Sequence, residues 1–269
     1  MKYFFWNTNN KEDINKYIVD LVKENRYNFI ALAEYKDNIG ELIRELKRYN
    51  INMIDISTKG CKRINIITNI SRNNIIHLGE VEYFTKKAII IGNKAYIISV
   101  VHLPSKLRSD DGARANVLQT LIEQLKEDEE KYKTKDSIIM GDFNANPYEP
   151  CMVSTLGLHS IPSLSDTKKL KRKLNFKEYD LFYNPMWNKF GDFNAPPGTY
   201  YYDKESSYQT YWNIFDQVII RPQVADIFVN ESLNIVIKGD EFQLFENNKI
   251  KIGDHLPIEF EIKDRRCIE

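Results

Sequence analysis

The stretch Ser137-Ile138-Ile139-Met140-Gly141-Asp142-Phe143-Asn144 runs a short apolar segment straight into Gly-Asp-Phe-Asn. It reads as a buried strand ending at a glycine, which lets the backbone turn and sets a carboxylate and an amide at the sheet edge. Asp142 and Asn144 flank Phe143, so in an extended segment both face the same side and can address one group. Later in the chain, Gly253-Asp254-His255-Leu256-Pro257 puts a carboxylate beside an imidazole. Hydrolysing a phosphoester needs a cation to offset phosphoryl charge, a group to orient or deprotonate water, and donors for an anionic transition state. Asp, Asn and His together point to that chemistry.

Companions appear in a fixed order on either side. Trp6-Asn7 closes an N-terminal strand, Leu32-Ala33-Glu34 closes the next, and Val101-His102-Leu103-Pro104-Ser105 follows another. Trp212-Asn213-Ile214-Phe215-Asp216-Gln217 precedes the last pair. In this order and context the set resembles the endonuclease/exonuclease/phosphatase superfamily, which includes pancreatic deoxyribonuclease, abasic-site endonucleases, inositol-phosphate phosphatases and sphingomyelinases. The resemblance runs from Asn7 to His255. It implies an α/β fold, a four-layer sandwich of two packed mixed β-sheets flanked by helices. Because the proposed site draws on both ends of the sequence, residues 1–269 are read as one catalytic domain.

Glu34 ends a buried strand, where a carboxylate needs a partner or a metal to offset its desolvation. By resemblance it is the metal-binding glutamate, Asn7 supports that metal and Asp254 lies at it. Hard oxygen donors, with no cysteine or paired histidine nearby, favour Mg²⁺ or Mn²⁺ over zinc. The resemblance also implies that Asp142 orients or deprotonates the attacking water and that Asn144 donates to a phosphoryl oxygen. Asp216 would hold His255, which acts as general base or charged phosphate contact, and His102 would protonate the leaving oxygen or hold a phosphoryl oxygen. The chain departs from the family pattern at Val100, where Asn is common, and at Gly253, where Ser is common. Both positions touch supporting hydrogen bonds. His77 and His159 lie outside every motif and receive no role.

The flanking pattern fits layers. Residues 2 to 7 read as a strand, a helix capped by Asn10 extends to about Asn25, and Phe29 to Ala33 is a buried strand. Asn38 opens a second helix with Ile39, Leu42, Ile43 and Leu46 on one face. Consecutive strands are then expected at Met53–Ile56, Ile64–Thr68, Ile75–Phe84, Ala88–Ile91 and Ala95–Val101, with a Gly92-Asn93 hairpin. A helix follows from about Ala113 to Glu130, ending in a solvated charge run. Residues 145 to 211 are irregular, and strands resume at Ile214–Ile220, Ile227–Val229, Ile235–Lys238 and Ile258–Ile262.

The chain has 38 Lys plus Arg against 38 Asp plus Glu, so no global basic coat advertises nucleic acid, although a local phosphate groove stays open. No apolar run reaches the length of a membrane span, so membrane insertion is not expected. The N-terminal residues start directly on a strand-like segment without a signal pattern, which sets the expectation of a cytoplasmic protein. Cys61, Cys151 and Cys267 lack metal-type spacing and read as ordinary thiols.

Substrate contacts are expected from Lys168, Lys169, Lys171, Arg172 and Lys173, and from an aromatic group with Tyr200, Tyr208 and Trp212. Cations beside aromatic faces are the composition of a nucleic-acid groove; a solvated basic loop and packed aromatics have the same sequence. Arg114 is a further candidate for phosphate or scaffold contact. A second Gly191-Asp192-Phe193-Asn194 lacks a preceding buried strand and reads as a substrate-side loop, not a second centre. The expected activity is therefore a metal-dependent phosphodiesterase, foremost a nuclease on DNA or RNA. The alternatives are an enzyme on an inositol phosphate, nucleotide or lipid headgroup, and an inactive binding module. Protein partners are not legible.

Overall fold

Phe4 and Trp6 alternate with Tyr3 and Phe5 along the first strand, and this two-residue period divides the molecule into layers. The computed structural model describes residues 1–106, 110–191, 193, 195–204 and 210–264. Its first sheet contains β1 (Lys2–Asn7), β2 (Phe29–Ala33), β3 (Ile54–Ile56), β4 (Ile64–Thr68), β16 (Phe228–Ile235) and β19 (Ile258–Ile262), in the order β16-β19-β1-β2-β4-β3. The second contains β5 (Ile75–Val81), β6 (Phe84–Ile91), β7 (Lys94–His102), β8 (Ser137–Asp142), β9 (Ser160–Ile161), β12 (Phe182–Tyr183) and β15 (Asp216–Ile220). Its order is β5-β6-β7-β8-β15-β12-β9. Three small ribbons complete the strands: β10 (Lys171–Leu174) with β11 (Lys177–Asp180), β13 (Tyr200–Tyr201) with β14 (Trp212–Asn213), and β17 (Phe245–Glu246) with β18 (Lys249–Ile250).

Tyr3, Phe5 and Phe29 of the first sheet meet Ile98, Val100, Met140 and Val218 of the second in the central core. Phe4, Trp6 and Ile30 face outward beneath α1 (Asn15–Asn25) and α2 (Ile39–Arg48), which bury Ile18, Leu21, Leu42 and Leu46 against them. On the opposite outer face, Leu118, Leu121 and Leu125 of α3 (Asp111–Lys131) cover Ile97, Val101 and Ile139. Two short helices, α4 (Pro150–Val153) and α5 (Leu164–Thr167), lie in the irregular region. The result is helix, sheet, sheet, helix, as expected from the sequence. No described helix is long and apolar enough to cross a membrane.

Several boundaries differ. The expected strand from Ile75 to Phe84 is broken at Glu82-Tyr83, where β5 turns into β6 without a glycine or asparagine to mark it. β6 begins at Phe84, because Lys86 and Lys87 are buried with partners: Lys86 meets Asp128, and the Lys87 ammonium donates to the Ser57 carbonyl at 3.1 Å and Thr85 at 2.9 Å. Asn10 does not cap α1. The Asp37 carboxylate does, accepting from the backbone N–H groups of Asp13, Ile14 and Asn15 at 3.1, 2.8 and 3.1 Å. Asn38 does cap α2, accepting from Glu41 N–H at 3.1 Å. The two short strands expected around residues 227–238 are one strand, β16, whose register shifts between Val229 and Asn234.

Candidate active site

Three strands deliver three side chains in register. β7 runs parallel to β8 and β15 antiparallel to it, so His102, Asp142 and Asp216 lie side by side across the second sheet. Gly141 makes that closeness possible: at φ 144° it sits opposite Val101, and an added Cβ would lie 2.0 Å from the Val101 carbonyl oxygen. The glycine therefore serves close strand approach inside β8, not the turn expected there. The chain turns at Asn144 instead, with φ 47°. Asn144 reaches Asp142 through that turn, its N–H donating to Oδ1 at 2.8 Å and its Nδ2 to Oδ2 at 3.2 Å and to the Leu103 carbonyl at 3.0 Å. The simple alternation expected of an extended segment does not hold here.

The first sheet supplies the other side. Glu34 follows β2 in a left-handed conformation, φ 48°, a costly placement for a residue with a side chain. Asn7 at the end of β1 donates to Asp142 Oδ2 at 2.9 Å and to Glu34 Oε1 at 3.5 Å. Asn10 donates to Glu34 Oε2 at 2.8 Å. His102 Nε2 lies 3.3 Å from Glu34 and 3.7 Å from Asp142. His102 hydrogen bonding, the largest cause, holds the Glu34 carboxyl below the usual glutamate range. The opposite ring nitrogen of His102, Nδ1, is buried without a hydrogen-bond partner among the described residues. Val100 cannot supply one, since its side chain belongs to the inter-sheet core.

His255 is anchored from both sheets. Trp6 Nε1 donates to its carbonyl at 3.0 Å, and its Nδ1 lies 2.8 Å from Asp216 Oδ2. Burial alone would lower the imidazole pKa, but Asp216, Asp142 and Asp254 more than offset it and push it up to about 10. The proton of the dyad therefore rests on His255. Asp254 is raised by burial first and then by Glu34 and Asp142, with His255 opposing, and its Oδ1 is a buried oxygen without a partner among the described residues. Gly253 precedes it with φ 72°, a conformation that strains a serine, which accounts for this departure from the family pattern.

Four carboxylates thus face one imidazolium, an excess of negative charge that suits a divalent cation. Donor atoms of Asp142, Asp216 and His255 lie within 4.8 Å of one another and form a possible metal site. Asp216 Oδ2 is taken by His255 Nδ1, while its Oδ1, like Asp254 Oδ1, is buried with no partner among the described residues. Glu34 and the free oxygen of Asp254 are the better hard donors, since both Asp142 oxygens already accept from Asn7 and Asn144. The Asn7 amide oxygen already accepts from Asn9 N–H at 3.0 Å.

The sequence reading missed Thr199. Fully buried, its hydroxyl oxygen accepts from the N–H groups of Phe215 and Asp216, both at 3.1 Å, and its carbonyl accepts from Leu256 N–H at 2.7 Å. It ties the Asp216 segment to the His255 segment. Tyr200 follows, its ring centroid 4.6 Å from that of His255 and its hydroxyl pushed up to about 12 by burial and then Asp254.

The other expected substrate contacts fall elsewhere. Arg114 is 4% exposed and is held by the Pro104 carbonyl and Asp111, so it is scaffold for the loop after His102. Trp212 is 7% exposed and packs on Tyr201 and Phe245. Lys168, Lys169, Lys171, Arg172 and Lys173 are exposed on or beside the β10–β11 hairpin. That hairpin is rooted at Asp180, which pairs with Arg221, and Arg221 N–H bonds to the Ser137 carbonyl at the end of β8 opposite Asp142. A cleft of about 790 Å³ does open beside the site, lined by Glu34, His102, Asn10, Lys62, Arg63 and Tyr83. Lys62 and Arg63 were not singled out from the sequence. Asp192, Asn194, Tyr208 and Cys267 lie outside the described residues.

The whole fold is shared with solved proteins. An AP endonuclease from Archaeoglobus fulgidus superposes with a TM-score of 0.57 at 16% identity, covering 98% of this chain and 100% of that one. The 3′ phosphatase NExo from Neisseria, bound to a product DNA hairpin, gives 0.57 at 12% identity with 98% and 100% coverage. TDP2 from D. rerio, complexed with a single-strand DNA product, gives 0.55 at 14% identity with 98% and 99% coverage. Other matches are described as endonuclease/exonuclease/phosphatase family proteins. No protein-family model and no curated protein matches the sequence. The architecture is therefore that of the deoxyribonuclease I-like proteins, a fold that by itself does not fix a substrate.

Proposed function

We propose that this protein is a divalent-metal-dependent phosphodiester hydrolase acting on a nucleic-acid strand. The observation that carries the reading is the convergence of Glu34, Asp142, Asp216 and Asp254 on one imidazolium, beside a cleft lined by Lys62 and Arg63. A bound Mg²⁺ or Mn²⁺, held by Glu34 and Asp254 with Asn7 in support, would offset charge on the phosphoryl oxygens. Asp142, fixed by Asn7 and by Asn144 N–H, orients water and accepts its proton. His255, charged and held by Asp216, donates to a phosphoryl oxygen as negative charge builds. His102 is the remaining donor near the leaving oxygen. Two of the similar structures hold DNA products, which favours a polynucleotide over a small phosphoester, as does a cleft extending toward two cations.

The test is an activity panel of the purified protein with Mg²⁺ or Mn²⁺ against single- and double-stranded DNA, RNA, a generic diester and a generic monoester. Cleavage of a polynucleotide supports the reading. Turnover of the monoester alone would replace it with a phosphatase, and no turnover of any substrate would leave a binding module on the same scaffold.

A further inference from the structure

The hairpin that carries the basic run has a two-residue turn, Asn175-Phe176, between the paired residues Leu174 and Lys177. Both turn residues have positive φ, 45° and 67°. Such turns favour Asn followed by Gly, because the second position strains a side chain and most of all a bulky one. Here that position holds phenylalanine, and its ring is 98% exposed. The fold thus tolerates both backbone strain and an unburied aromatic at one point, and neither is offset by any contact within the hairpin. Arg172 and Lys173 precede the tip and Lys177 follows it, the Lys177 ammonium lying 5.1 Å from the Tyr179 ring centroid. Lys171 is neutralised by Glu178 at 3.1 Å.

Resting on the proposed nuclease reading, we infer that Phe176 and its neighbouring cations form a second contact for a single-stranded polynucleotide, away from the catalytic cleft. A lone projecting ring offers one complete stacking face for an unpaired base, and flanking cations meet the adjoining phosphates. The same ring offers little of the apolar area by which a lipid surface is held. The hairpin root and the reacting groups lie at opposite ends of β8, six residues or roughly 17 Å apart along the strand. A substrate that fills only the catalytic cleft does not reach the hairpin, whereas a longer strand can engage both. The contact therefore adds affinity for long substrates and leaves the bond-breaking step alone.

The test uses the full chain carrying Phe176→Gly or Phe176→Trp, with fluorescence anisotropy of a labelled oligothymidine of about 30 nucleotides in chelator, where binding is read without cleavage. Phe176→Gly should weaken binding about tenfold, and Phe176→Trp should retain it. Because glycine suits the turn, Phe176→Gly should melt at or above the wild-type temperature and hydrolyse a small diester unchanged. Unchanged oligothymidine affinity in Phe176→Gly overturns the inference. A loss accompanied by lower melting temperature and lower small-diester turnover also overturns it, as a structural role. Phe176-dependent co-sedimentation with phosphatidylserine vesicles, without any effect on oligothymidine, would assign the hairpin to lipid instead. Wild-type protein that binds oligothymidine through Phe176 but cleaves no polynucleotide supports the contact while refuting the nuclease reading.

Discussion

Replacing Asp216 by asparagine removes a charge while keeping the shape of a group that has no exposed surface. The amide can still accept from His255 Nδ1, so the loss is that of a charge-assisted bond at 2.8 Å in a buried setting. Bonds of this kind contribute about 2 to 3 kcal/mol, so kcat should fall about 30- to 150-fold. Three acids hold the imidazole pKa at about 10 against its own burial, so with one neutralised the ring should lose its second proton at a lower pH than in the wild type. The stability consequence has a definite sign. A folded-state pKa raised above 6.5 stabilises fully below about pH 6.5, and that stabilisation is lost as pH rises through about 10. Asp216→Asn should flatten this decline. The assay pairs single-turnover rates on a generic diester with nitrogen-detected spectra of the imidazole ring in chelator. An imidazole titration that does not move down in Asp216→Asn, together with a rate within about threefold of wild type, would refute this coupling.

Chelation with EDTA should abolish turnover and added Mg²⁺ or Mn²⁺ restore it, because the carboxylate cluster cannot offset phosphoryl charge; undiminished activity in chelator would exclude the mechanism. Asp142→Ala should lower kcat by on the order of a thousandfold while Asp192→Ala changes it by less than about tenfold, and equal losses would show that the preceding strand does not distinguish the copies. Replacing Lys62 and Arg63 by serine should raise KM for a polynucleotide and reduce its salt dependence, with small-diester turnover retained; an unchanged salt slope would remove the cleft from the substrate path. Gly141→Ala must part β7 from β8 to relieve its 2.0 Å contact, so it should lose activity before it loses helical signal, and a fully active variant would contradict the described register.

The layers were legible because apolar periodicity is a local signal: Tyr3 and Phe5 against Phe4 and Trp6 already define two faces. What escaped depends on tertiary partners. Lys86 and Lys87 interrupt the apolar pattern of β6, yet Asp128, Thr85 and the Ser57 carbonyl satisfy them inside the sheet. Gly141 was rightly singled out for a wrong reason, since only the parallel neighbour β7 reveals the close approach. Thr199 has no local mark at all; its importance comes from Phe215, Asp216 and Leu256, all distant in sequence. For the basic run, composition was legible and position was not. Its composition suits a groove, but Asp180 and Arg221 root its hairpin at the other end of the sheet.

These contacts make the candidate site a property of the packed sandwich and not of any one motif. β1 presents Asn7 to Asp142 of the other sheet, and Trp6 of the same strand fixes the carbonyl of His255. β19 pairs antiparallel to β1 and so returns the chain to the neighbourhood from which it began. Separating the sheets would take Asn7 from Asp142, leaving it only Asn144, and would expose a carboxylate cluster whose mutual repulsion is contained by neighbouring donors and His255. A cation bound there would consequently stabilise the native fold as well as supply charge for catalysis, since Glu34 and Asp254, distant in sequence, converge only in the folded chain. Catalysis and global stability are therefore coupled through the same atoms, and substitutions such as Asp142→Ala can relieve repulsion and raise stability while destroying activity.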